Sequence, residues 1–143
     1  MDIMNRKVRN ADYRIFDGIK FRSKLEISVY KELKKQDIEF EYEPKKIVLQ
    51  EGFKPKSPYY IDSKEHWEKV RAITYTPDFI AKIDDYTVYI EVKGWETDRY
   101  IVKKKMFLNK IKDDDRSIFI EVHTIRGLKN SIIKIKSLCL EKN

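Results

Sequence analysis

At 143 residues, 41% hydrophobic and 38% charged, the chain is long enough to bury the core of one globular domain. Its 31 Lys+Arg against 24 Asp+Glu give a net charge of +7, and no apolar run approaches the roughly 18 residues of a membrane span. One cysteine, Cys139, excludes an internal disulfide and a paired-cysteine zinc site, and four glycines without a GxxxxGK[ST] or GxGxxG pattern exclude a phosphate-cradling loop for ATP or NAD.

Residues 1–12 form a basic arm (Arg6, Lys7, Arg9) without the apolar stretch of a secretory signal; with the lone thiol this points to a reducing, cytoplasmic compartment. Asp17-Gly18 predicts a tight turn between strands Tyr13–Phe16 and Ile19–Phe21. Phe21–Gln36 predicts an amphipathic helix, with Leu25, Val29 and Leu33 at i, i+4 and i+8 and Ile27 and Tyr30 widening the stripe. Glu26 lies at the edge of that stripe. Alone it suits a solvated carboxylate paired with a basic neighbour. Glu39–Tyr42 and Lys46–Gln50 predict strands on either side of Pro44.

Residues 51–70 form an insertion too long for a simple connection. A short helix is expected from Ser63 through Glu68. Tyr59, Tyr60 and Trp67 alternate with Lys54, Lys56, Lys64 and Lys69, a pattern that covers a sheet edge or stacks on unpaired bases. Tyr75–Ile83 is expected as one strand, Asp84-Asp85 as a turn and Tyr86–Val92 as the next strand. Thr97–Lys112 predicts a helix with Tyr100, Ile101, Phe107, Leu108 and Ile111 on one face. Ser117–His123 predicts a strand, and Gly127–Leu140 a last helix holding Cys139 in the core.

The chemistry concentrates in the central hairpin. Its length brings Asp78 and Glu91 close to facing each other across the ladder, near its open end, and like charges directly opposite destabilise a strand pair. A hard cation such as Mg²⁺ or Mn²⁺ between the two carboxylates relieves that cost. Lys93, two residues beyond Glu91, points to the same face, where an ammonium group can help to position a water for attack on a phosphodiester.

Pro77-Asp78 followed by Glu91-Val92-Lys93 resembles the PD-(D/E)xK nuclease superfamily. The predicted order of elements is similar to its αβββαβ core, and the resemblance covers residues 13–125. The segments DGIKFRSKLE, ITYTPDF and IEVKGWET…VKKKMF resemble small phage-encoded nucleases of that superfamily, related in pattern to Holliday junction resolvases. The resemblance implies an α/β fold of restriction-endonuclease type, with a mixed central sheet flanked by helices. It implies a Mg²⁺- or Mn²⁺-dependent DNA endonuclease in which Asp78, Glu91, Glu26 and the Val92 backbone carbonyl hold the metal and Lys93 acts on the water. It implies DNA as partner, branched or duplex, and for a junction resolvase a homodimer that makes paired cuts. In the family a basic residue of the helix after ExK approaches the scissile phosphate. Lys103 and Lys105 match its spacing, while helical geometry favours Lys104. Arg22 and Lys24 join these three as candidate DNA contacts. The alternatives are a transposase- or restriction-type nuclease that works with a partner protein, and a non-catalytic DNA-binding protein on a nuclease fold.

Residues 1–98 carry 19 Lys+Arg and 19 Asp+Glu, whereas residues 99–143 carry 12 and 5, so the whole positive excess follows the candidate site in the chain. A basic face of this kind suits a phosphate backbone. His66 and His123 are read as structural or surface residues, Asp113-Asp114-Asp115 as a solvated loop, and no serine has the setting of a hydrolase nucleophile.

Overall fold

The computed structural model describes residues 14–142. The basic arm at 1–12 and Tyr13 of the first predicted strand lie outside them. Three helices and ten strands are described. Strands β1 (Arg14–Phe16) and β2 (Ile19–Phe21) pair as a hairpin, and α1 (Lys24–Lys35) follows. Asp17 at φ 57° and Gly18 at φ 78° make the tight turn. The helix begins three residues later than the hydrophobic pattern suggested, because Phe21 pairs with Arg14 and Ser23 takes the cap. The Ser23 hydroxyl oxygen accepts from the Glu26 N–H at 3.1 Å.

The central sheet has the order β10-β9-β8-β3, with β3 (Glu39–Tyr42), β8 (Phe79–Ile83), β9 (Tyr86–Val92) and β10 (Ser117–Val122). The β3–β8 and β8–β9 pairs are antiparallel. The β9–β10 pair is parallel and is bridged by α2 (Asp98–Ile111). Helix α1, these strands and α2 therefore run αβββαβ, a mixed α/β architecture with a mixed sheet flanked by helices. The last helix, α3 (Ile125–Lys142), packs against α1 and β10. None of the three described helices is long and apolar enough to cross a membrane.

Strand alternation divides the sheet into two faces. Phe79, Ala81 and Ile83 of β8 and Val88, Ile90 and Val92 of β9 point into a core shared with Val29 and Leu33 of α1 and Leu128, Ile132 and Cys139 of α3. On the other face, Tyr89 and Phe119 meet Phe107 of α2 at centroid distances of 4.9 and 5.9 Å. Tyr100 and Phe107 are the buried residues of α2; Leu108, expected with them, is 42% exposed. It stands one residue past Phe107, about 100° round the helix.

Two expectations about the strands need correction. Tyr75–Ile83 is not one strand. β7 (Ile73–Tyr75) pairs with β4 (Ile47–Gln50) in a separate two-stranded sheet, and the chain breaks at Thr76-Pro77-Asp78 before β8 begins. Pro77 has no N–H to give to a ladder, so the break falls where proline puts it. The short helix expected after Ser63 is instead β6 (Lys64–His66), paired with β5 (Tyr59–Ile61). Asp62 at φ 52° turns the chain, a conformation that Asp tolerates, and the β-forming Tyr59-Tyr60-Ile61 run recruits the following residues as its partner strand. Tyr60 and Trp67 are exposed, at 62% and 46%.

Candidate active site

The β8–β9 register places Phe79 against Ile90 and Ile80 against Tyr89, so the next pair outward is Asp78 against Glu91. Both carboxylates are buried, at 6% exposure each. Asp78 Oδ2 accepts from the Val92 N–H at 2.7 Å. Glu91 Oε1 accepts from the Tyr75 hydroxyl at 2.6 Å, and its Oε2 lies 3.4 Å from Lys93 Nζ. Glu26 reaches the same end of the sheet from α1. It is 5% exposed and accepts from the Tyr42 hydroxyl at 2.7 Å and the Arg22 N–H at 3.2 Å.

These carboxylates strain one another electrostatically. Burial raises the Asp78 carboxyl to about 8, the Glu91 charge adds to the rise, and so does Glu26; the Val92 N–H and Lys93 oppose it. Glu91 is raised as well, first by burial, against the hydrogen bond from Tyr75 and the Lys93 charge. Burial and the adjoining carboxylates push the Tyr42 and Tyr75 hydroxyls upward, so both stay protonated donors.

A second layer lies beside the first. Because β9 and β10 pair in parallel register, Glu121 stands next to Glu91 on the same face. Glu121 accepts from the Tyr100 hydroxyl at 2.6 Å, from Lys104 Nζ at 3.0 Å and shares a 2.8 Å contact with His123. Burial alone would raise its carboxyl; these partners outweigh that and hold it at about 2. The Tyr100 ring lies beneath Lys93 Nζ at 4.3 Å, and Lys104 also meets Glu96 at 2.8 Å. Tyr100→Phe keeps the ring and loses one donor to a charged acceptor, so it should lower the unfolding free energy by about 1–2 kcal/mol. Tyr100→Ala also empties a buried site and should lower it by about 3 kcal/mol or more in urea unfolding. Equal losses in the two variants would show that the hydroxyl alone matters.

The structure brings Glu26, Asp78, Glu91 and Lys93 to one end of the sheet, and Val92 enters through its N–H. Of the three helix lysines, Lys104 joins the Glu121 network. Lys103 lines a separate cavity of about 470 Å³ with Ile73, Thr74 and Arg99, and Lys105 is exposed. Arg22 pairs with Glu43 at 3.0 Å, and Lys24 is exposed on the first turn of α1. Tyr42, Tyr75, Tyr100 and Glu121 escaped the sequence reading. One signal pointed to Glu121: Ile-Glu-Val occurs at both 90–92 and 120–122.

As they stand, no three His, Cys, Asp or Glu side chains among the described residues are grouped so as to hold a metal ion. Each of the three carboxylates turns an oxygen to a protein donor instead. The donor set itself is all hard oxygen, which suits Mg²⁺ or Mn²⁺, and the raised Asp78 and Glu91 mark a site short of positive charge.

Endonuclease I of Escherichia phage T7 is 38% identical to this chain over 79 residues, which are 54% of this chain and 40% of that protein. The match thus spans well under half the length of that relative. The family described as "Protein of unknown function (DUF1064)" matches residues 6–132, a span that runs from the N-terminal arm through β8, β9 and β10 into α3. With nearly all of its folded elements inside that match, the chain belongs to the DUF1064 family.

Proposed function

We propose that this chain is a metal-dependent DNA endonuclease of the PD-(D/E)xK type, acting on branched DNA. The observation that carries the reading is the buried Asp78–Glu91 pair at the end of the β8–β9 ladder with Lys93 Nζ 3.4 Å from Glu91. Partial similarity to a phage protein named Endonuclease I supports it. Glu26, Asp78, Glu91 and the Val92 carbonyl would hold Mg²⁺ or Mn²⁺, with the carboxylates turning from their present partners. When bound, such an ion supplies electrostatic stabilisation of the negative charge that develops on a phosphodiester under attack.

The protein's own groups do the rest. Lys93 brings its ammonium group to the mouth of the site, held by Glu91 on one side and the Tyr100 ring on the other. It orients the attacking water and offsets charge on the phosphate. In the metal-free protein Tyr42 and Tyr75 hold Glu26 and Glu91. Lys24 and Lys105, both exposed, offer charge to the DNA backbone, whereas Arg22 and Lys104 are paired with carboxylates and Lys103 lines a separate cavity. Paired cuts across a junction call for a symmetric homodimer. Cys139, a buried free thiol, suits work in a reducing cytoplasm.

The test uses a four-way junction, a linear duplex and a single strand, each with Mg²⁺, with Ca²⁺ and with EDTA. Cutting with Mg²⁺ that EDTA stops, strongest on the junction, is expected. Cutting that EDTA leaves intact would remove the metal. Binding without any cutting would leave a DNA-binding protein on a nuclease fold.

A further inference from the structure

Trp95 has the highest exposure of the described large apolar side chains, at 81%. It stands in the short loop between the end of β9 and Thr97, the cap of α2, two residues beyond Lys93. Its ring makes no aromatic or cation–π contact among the described residues. Trp67, the other tryptophan, is tied by its Nε1 to Glu65 at 2.6 Å. An indole left in water beside a buried charged site is a cost to the free protein unless something covers it.

The surroundings say what would cover it. Trp95 lines a cavity of about 270 Å³ together with Leu25, Glu26, Val92 and Lys93. The cavity therefore opens onto three of the residues of the proposed site, Glu26, Val92 and Lys93. A Cβ added at Gly94 would meet nothing within 4 Å, so the approach over the loop is clear. A cavity of about 270 Å³ accommodates one flat ring against the indole. Lys93 offers it a positive charge, and Leu25 and Trp95 offer apolar surface. The caps of α1 and α2, Ser23 and Thr97, also line it, but each hydroxyl already accepts from its own helix, so they add no anion site.

We propose that Trp95 is a stacking platform for an unpaired nucleobase next to the cleaved phosphate, and that the substrate must present an unstacked nucleotide there. The inference rests on the nuclease reading above and narrows it. A continuous stacked duplex has no free base to offer. A single strand or the open centre of a branched DNA does. The charge pattern agrees, with the phosphate on the Lys93 side and the neutral base over the indole. Aromatic stacking of this kind tolerates any sequence.

Trp67→Phe leaves Trp95 as the sole indole, so its fluorescence reports on this position alone. With Ca²⁺ in place of Mg²⁺, a short oligothymidylate and a four-way junction should quench it, and a blunt duplex should quench it far less. Trp95→Ala should weaken binding of the single strand about tenfold to a hundredfold. Trp95→Phe should restore most of that binding. Circular dichroism should stay unchanged in both, because the side chain is exposed. Equal quenching by duplex and single strand would overturn the proposal. So would emission that shifts on dilution without DNA, which would place Trp95 between two copies of the chain. If Mg²⁺ supports cutting and no DNA quenches Trp95, the stacking idea fails and the nuclease reading stands. If wild-type protein cuts no DNA at all, the nuclease reading fails and takes this inference with it.

Discussion

Asp78→Asn should abolish DNA cleavage and at the same time raise the melting temperature of the metal-free protein. The two effects have one origin. Asp78 and Glu91 face each other at the end of a ladder with little water around them, and Glu26 adds a third carboxylate nearby. Asparagine removes one of these charges and keeps the hydrogen bond, since its Oδ1 can accept from the Val92 N–H as Asp78 Oδ2 does at 2.7 Å. The gain at pH 8 should be at least about 2 kcal/mol, roughly 6 °C or more in Tm for a chain of this size. Cleavage should fall at least about a thousandfold, because the lost charge lies where the reaction needs it. Glu91→Gln should be as inactive but gain less, because Lys93 then loses the carboxylate 3.4 Å away. Lys93→Met should be inactive and less stable than wild type, because it leaves Glu91 with no cation. Three inactive variants with different stability changes cannot be explained by misfolding. A lower Tm for Asp78→Asn would reject the repulsion account, and wild-type cutting by any of the three would reject the site.

Much of this site was legible in the sequence, because a hairpin obeys arithmetic. Once Asp84-Asp85 is taken as the turn, the residues that face each other have constant sums, and Asp78 opposite Glu91 follows. The helix carrying Glu26 was legible from Val29 and Leu33, and its placement near the strands from the order of elements. What the sequence hid was tertiary. Pro77 looked like part of a strand because apolar and aromatic residues flank it, yet the chain changes partners there, from β4 to β3. That switch brings Tyr75 back over Glu91, and no local pattern announces it. The hairpin at 59–66 hid behind a serine followed by glutamates, which imitates a helix start. Tyr100 and Glu121 were invisible as partners because their contact joins a helix to the neighbouring strand, and only the parallel register of β9 and β10 brings it beside Glu91.

Between pH 6 and pH 8 the metal-free protein should become less stable, the opposite of what paired carboxylates ordinarily produce. Asp78 has an ordinary pKa of 3.8, and burial, then Glu91 and Glu26, raise it to about 8 in the fold. Across that interval the native state keeps a proton that the unfolded chain has released. Stability is therefore highest for this group below about pH 4 and is lost as pH climbs through 8, with a slope of up to about 1.4 kcal/mol per pH unit. Glu91, also raised by burial, acts in the same direction. Glu121 works the other way, since it is held at about 2, but its contribution is lost only as pH falls from its ordinary value of 4.5, outside this window. The decline from pH 6 to 8 should reach about 2 kcal/mol, measured as Tm in matched ionic strength. A divalent cation supplies the missing charge, so the Tm gain on adding Mg²⁺ should be small at pH 6 and grow toward pH 8, and EDTA should reverse it. Asp78→Asn should flatten the pH slope and most of the Mg²⁺ response together, because both depend on the same buried charge. A wild-type Tm that rises from pH 6 to 8 without metal would mean that the two carboxylates are neutralised by some group other than a bound cation. A Mg²⁺ response that persists in Asp78→Asn would put the ion elsewhere on the protein.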